Sequence, residues 1–299
     1  MSLRTSLESK KFVVTSEIGP PKGVNVSPML EEVDLLRDKI TAVNVTDSQS
    51  SVMRAGSLAL CKLLLEKGLE PVFQLTCRDR NRLALQSDLL NAWILGIENV
   101  LVISGDHPTL GDHPGALPVF DLDSVQLLQV IGQLNQGHDM MGNDLDGAPD
   151  FFAGAVANPG ADPLEPNIVK LEKKVRAGAR FIQTQAVFDP QQFLRFVKAT
   201  AYLDIPILAG IILLKSAGMA RFMNKNVAGV EVPDALINRM AHAENRKRES
   251  AAIAVELVNA VAPTCQGIHV MALGWDALIP DILSRASLPY MTQSNVSSS

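Results

Sequence analysis

Six polar residues stand at the ends of short apolar runs: Glu17 after FVVTS, Thr46 after AVNV, Thr76 after EPVFQL, Asp106 after VLVISG, Asn158 after FAGAVA and Gln185 after FIQT. Two are carboxyls and the rest are hydroxyls or amides. A carboxyl pair facing an apolar pocket can hold two protonation states at once, one group donating a proton while the other stays ionised. The hydroxyls and amides add donors and acceptors of the kind that bind a neutral heterocycle, and no glycine-dominated phosphate nest accompanies them. Each residue taken singly has a simpler reading as a turn cap. Their joint placement carries the inference.

An apolar run that stops abruptly at a polar residue is the pattern of a strand buried on both faces. Such runs cover 12–17, 42–46, 70–76, 97–103, 152–157, 181–185, 206–212 and 267–271. Helical spacing follows each of them. Ser27 offers an N-cap for a helix over 27–38, Gly68 and Gly96 stop the next two, and Asp189-Pro190 opens another with an N-cap and a proline in the first turn. Two short helices, 216–223 and 234–242, and a longer one, 244–261, separate the last two strands; 275–284 closes the series. Eight strand-then-helix units in 299 residues predict the α/β class and a single (β/α)8 TIM barrel over 1–287, with 288–299 as a flexible C-terminal tail. A doubly wound open sheet is disfavoured, because the first turn reads Gly19-Pro20-Pro21 rather than Gly-x-Gly-x-x-Gly. In a barrel of this kind the strand ends share one mouth, so the six residues converge. Asp106 also opens a long loop rich in Gly, Pro, His and Asp, and loops of such length in compact domains are usually functional.

Composition narrows the partners. With 47% hydrophobic residues, a net charge of −5 and no Lys/Arg-rich block, the chain has an ample core and lacks the basic footprint of a nucleic-acid binder. No signal peptide and no membrane-length apolar run is present, which points to a cytoplasmic protein. Cys61, Cys77 and Cys265 are odd in number and widely spaced, so neither a disulfide framework nor a thiolate metal site is indicated. His107 and His113, with Asp106 and Asp112, lack a further well-spaced ligand and read as loop caps; no metal is expected. Cys77 beside Arg78 has the cationic neighbour of an activated thiol but no placed base, and reads as packing. The mixed charge run 244–249 is the solvated start of a helix.

Thr15-Ser16-Glu17 with Pro20-Pro21, Asn44-Val45-Thr46, Gln74-Leu75-Thr76-Cys77-Arg78-Asp79, Ser104-Gly105-Asp106, Lys173-Lys174-Val175 to Gly178, and Thr184-Gln185 together resemble the methylenetetrahydrofolate reductase family, in the family's order and over nearly the whole chain. The resemblance covers the catalytic barrel and not the long regulatory domain of eukaryotic members. It implies a flavoprotein, with FAD as cofactor or FMN in its place, that reduces 5,10-methylenetetrahydrofolate to 5-methyltetrahydrofolate. On that resemblance Glu17 is the general acid that protonates N10 and opens the five-membered ring, and the resulting iminium carbon takes hydride from flavin N5. Asp106 and Gln185 match the pair that contacts the pterin, Asp106 also lying near the flavin. Thr46, Asn158, Asn167 and Lys174 match positions lining the flavin and its phosphate or ribose portion, with Thr76 and Gly105 on the same cofactor side. Two other readings stay open: another flavin barrel oxidoreductase, such as a proline dehydrogenase-like protein, and a subunit or binding protein that works only within a complex.

The departures from the family pattern bear on electrons. Ser104 stands where Arg is common and Gln74 where His is common. Asn158, Ala186-Val187 and Lys215-Ser216-Ala217 replace positions that usually supply aromatic rings. A nicotinamide stacked on the flavin draws on such rings. The electron donor is NADH, NADPH or an accessory redox subunit; NADH is expected to be a poor direct donor, which favours an accessory subunit carrying an iron–sulfur centre, since this chain has no cluster motif. A homo-oligomer or a hetero-complex is expected.

Overall fold

The computed structural model describes residues 1–289. Eight parallel strands, β1 (Val13–Ile18), β2 (Ala42–Val45), β3 (Pro71–Thr76), β4 (Asn99–Ile103), β5 (Phe152–Ala157), β6 (Phe181–Ala186), β7 (Ile207–Ile212) and β8 (Gly267–Met271), pair in sequence order. β1 then pairs with β8, Val13 opposite Gly267, and the barrel closes. No helix of the described residues is long and apolar enough to cross a membrane.

Alternation along each strand sorts the residues into two cores. Val14, Val43, Phe73, Val100, Ala153, Ile182, Ala209 and Ile268 point outward and pack in the large cluster beneath the helices. Val13, Ala42, Val72, Leu101, Phe152, Phe181 and Leu208 form a second cluster inside the barrel, towards its N-terminal end. Phe152 and Phe181 stack there at 5.4 Å, and Gly154 makes this possible: a Cβ on it would stand 2.2 Å from the Phe181 ring. Above this floor the inward positions turn polar. Thr15, Asn44, Gln183 and His269 form a buried layer in which Asn44 and Gln183 exchange amide hydrogen bonds of 2.7 and 3.2 Å. Buried polar groups are tolerable only when satisfied in this way.

The outer helices include α3 (Ser57–Glu66), α4 (Arg82–Ile94), α5 (Ser124–Asn135) and α6 (Glu165–Arg176). α7 (Pro190–Thr200), α8 (Ala217–Asn226), α9 (Asp234–His242), α10 (Arg246–Val261) and α11 (Ile279–Arg285) complete the ring. Asp189 caps α7 as its sequence signalled, accepting from the Gln191 and Gln192 amides. Three expectations change. An unforeseen helix, α1 (Leu3–Glu8), plugs the barrel floor with Leu3 and Leu7. The first crossover helix, α2 (Ser27–Asp34), starts after Val26 without a side-chain cap and ends short of residue 38, where Asp38 has φ +61°. Leu288, expected in the tail, is fully buried; from residue 290 the expected tail lies outside the described residues.

Candidate active site

The C-terminal ends of the strands surround a cavity of about 370 Å³. Of the residues singled out from sequence, Glu17, Thr76, Gly105, Asp106, Lys174 and Gln185 line it. Asn158 and Asn167 line an adjoining pocket of about 140 Å³, which shares Lys170, Lys174 and Gln185 with the first. Thr46 lies one residue past β2, is buried, and borders neither space.

Glu17 enters from β1, its side chain 9% exposed. One carboxylate oxygen accepts from the Gln49 amide at 3.3 Å; the other lies 3.6 Å from His269 Nε2, an ion-pair separation rather than a hydrogen bond. The His269 ring is fixed from behind, since its Nδ1 is 3.0 Å from the Thr15 hydroxyl. Asp106 and Gln185 are exposed on the rim. Gln185 sits where the β6–β7 register shifts between Gln183 and Ala186, a bulge of the kind that re-aims a side chain beside a site. Gly105 has φ +87°, a conformation that disfavours any side chain, and it brings the Asp106 turn against Thr76 and Arg78.

Several residues here escaped the strand-end reading. Asp47 is buried at the end of β2 and accepts from the Thr76 amide and hydroxyl at 3.0 and 2.8 Å and from Arg80 at 2.7 Å. The Arg78 guanidinium, 2% exposed, borders the cavity and is gripped by both oxygens of Asp79 at 2.8 and 2.7 Å. The signal for Asp47 and Arg78 was present in the sequence, as charged residues directly after strand ends. Gln49, Gln183 and His269 carried no such mark.

Other candidates are engaged within the fold. The Asn158 amide is occupied at both ends, donating to Ala228 O at 2.9 Å and accepting from Gly160 N at 3.1 Å. Cys77 packs in the outer cluster, and burial pushes its thiol up to about 12, which leaves it inert near neutral pH. His107 and His113 pair locally with Thr109 at 2.9 Å and Asp112 at 2.8 Å.

The far end of the cavity is cationic. Lys174 is 5% exposed and donates to Val156 O at 2.6 Å, while the exposed Lys170 shares its lining. Burial, then the like charge of Lys170, pushes the Lys174 ammonium down to about 8. Such a pair suits a phosphate. Thr46 Oγ1 is buried without a hydrogen-bond partner among the described residues and borders neither space. The residues present therefore fit a cofactor that carries a phosphate, with Lys170 and Lys174 as the groups that would hold it.

The family model described as methylenetetrahydrofolate reductase matches residues 2–287. The chain is 28% identical over 256 residues to methylenetetrahydrofolate reductase 2 of Schizosaccharomyces pombe, covering 78% of this chain but 39% of the yeast protein. It is 27% identical over 260 residues to the 5,10-methylenetetrahydrofolate reductase of Pectobacterium carotovorum, covering 82% and 80%. Among solved structures, a Clostridium thermocellum protein described as binding two copies of 5-methyl-5,6,7,8-tetrahydrofolic acid superposes with a TM-score of 0.63 at 16% identity, over 94% of this chain and 98% of that one. At that identity the likeness speaks for the fold alone.

Proposed function

The chain belongs to the methylenetetrahydrofolate reductase family, and from that premise we propose that it reduces 5,10-methylenetetrahydrofolate to 5-methyltetrahydrofolate with Glu17 as the proton donor. The observation that carries the reading is the setting of Glu17: a buried carboxyl between Gln49 and His269, below a rim that bears Asp106 and Gln185. A bound flavin, FAD or FMN, supplies the hydride.

The remaining work falls to the protein. Asp106 accepts from the N–H groups of the pterin edge, and the Gln185 amide offers one acceptor and two donors to the same edge. That contact fixes the ring and brings N10 towards Glu17, whose proton opens the five-membered ring. The Gln49 amide steadies the carboxylate left behind. When the Thr15 hydroxyl donates to His269 Nδ1, the Nε2 hydrogen faces Glu17 and stabilises the same charge. Lys170 and Lys174 hold the anionic end of the cofactor.

The electron source belongs to the same proposal. Asn158, Ala186 and Ala217 offer no ring for stacking a nicotinamide, which favours reduction through a partner protein. The test of the central claim is Glu17→Gln. A general acid contributes about 10²- to 10⁴-fold, so this variant should keep folate binding, measured by equilibrium titration, and lose most folate-dependent flavin reoxidation. Reoxidation at the unaltered rate rejects the role, and a chain that no flavin can load rejects the enzyme reading.

A further inference from the structure

Arg78 borders the cavity, yet its side chain is 2% exposed and its charge is already matched by the two-pronged contact to Asp79. A guanidinium so neutralised is poorly placed to bind a ligand anion and well placed to act as a tie. Its remaining donors reach two loops. Nη1 donates to Asp106 O at 3.2 Å and Nη2 to Ser48 O at 3.3 Å. The Arg78 carbonyl accepts from Val119 N at 2.8 Å, so this one residue holds both ends of the loop that follows β4.

The loop held through Ser48 is strained. Ser48, Ser50 and Ser51 have φ of +45°, +55° and +57°, a region that costs a residue with a side chain about 1–3 kcal/mol and persists only where the surroundings enforce it. Gly111 presses on the same turn: a Cβ there would fall 1.8 Å from Ser51 O. Within this turn lies Gln49, whose amide meets Glu17.

We infer that Arg78 is a positioning residue that ties these two loops together, so that Gln49 meets Glu17 and Asp106 faces the cavity. The inference rests on the reading of Glu17 as the proton donor. A lysine at 78 keeps the charge but cannot span Asp79, Ser48 and Asp106 together, because its single ammonium lacks the planar fork.

The test compares wild type, Arg78→Lys, Gln49→Ala and the double variant. With flavin reduced chemically beforehand, each single change should lower kcat for folate-dependent reoxidation by about 10- to 100-fold, the loss expected when a reacting group is displaced by an ångström. Because Arg78 acts on Gln49 as well as on Asp106, removing Gln49 already removes part of what Arg78 supplies, so the double variant should be clearly faster than the product of the two single losses predicts. Multiplying losses would overturn the tie. Gln49→Ala, a truncation of an exposed side chain, decides the kinetic arm should Arg78→Lys fail to fold; an unchanged kcat in it also overturns the inference. Hydrogen exchange reads the tie without turnover: Arg78→Lys should speed exchange in both 48–53 and 104–112, and unchanged exchange in both would refute it. A folded wild type that never reduces folate would reject the enzymatic reading while the exchange result still decides the tie.

Discussion

Lys174 gives a prediction whose size follows from its surroundings. Its ammonium is held at about 8 against an ordinary lysine value of 10.5, chiefly by burial. At about 1.36 kcal/mol per pKa unit, carrying that charge costs the folded protein about 3 kcal/mol. The unfolded chain binds the extra proton between about pH 8 and pH 10.5, so the cost is complete below pH 8 and stability rises as pH climbs through that window. Lys174→Met removes the charge but leaves Val156 O without the donor it now has at 2.6 Å, a loss of about 1–3 kcal/mol. At neutral pH the variant should equal wild type or exceed it by up to about 2 kcal/mol, and above pH 10.5 it should be the less stable of the two by the cost of the lost hydrogen bond. Urea unfolding of both proteins on either side of the window measures this crossover. Parallel stability curves would refute the reasoning. The same variant should bind flavin more weakly, because the charge that burdens the empty fold is the one a phosphate would satisfy.

Two further outcomes are expected. In stopped flow, NADH at micromolar concentration should reduce the flavin of the isolated chain slowly while methylenetetrahydrofolate reoxidises it fast; rapid reduction by NADH would remove the need for a redox partner. Asp276 is a buried carboxyl pushed up to about 6 by burial and by Glu32 and Glu17, with Oδ1 lacking a partner among the described residues. Its contribution to stability is complete below the ordinary value of 3.8 and is lost as pH rises through about 6. Asp276→Asn should therefore gain up to about 3 kcal/mol on wild type at pH 7; an equal gain at pH 4 would contradict this.

The strand ends were legible because burial on both faces forces continuous apolar runs, so the first polar residue marks the mouth. That is how Glu17, Asp106 and Gln185 could be read from the chain alone. Thr46 obeyed the same pattern yet faces neither pocket, since a strand end fixes the level of a residue in the barrel and not the direction of its side chain. The Asn158 side chain bonds Ala228, 70 residues away, and no local pattern announces such a bond. Gln183 and His269 were hidden inside runs taken as apolar, because only closure of the barrel shows that alternate positions in β1, β2, β6 and β8 share a layer. Gln49 was invisible for a third reason. Its place beside Glu17 depends on a strained turn, and left-handed backbone at three serines has no signature in sequence.

The floor helix α1 precedes all eight strands in the chain, yet it completes its contacts late. The Leu3 amide waits for the Glu70 carboxylate, whose Oε1 accepts from it at 2.8 Å, Arg4 lies 5.5 Å from the Phe152 ring, and β1 finds its β8 neighbours more than 250 residues further on. Pairings this distant slow folding, because the intervening chain must be ordered before they form. Floor and seam are thus late events of one assembly, and until the seam shuts the two flanking strands remain open edges. A nascent chain is most exposed to mispairing with its neighbours in that interval.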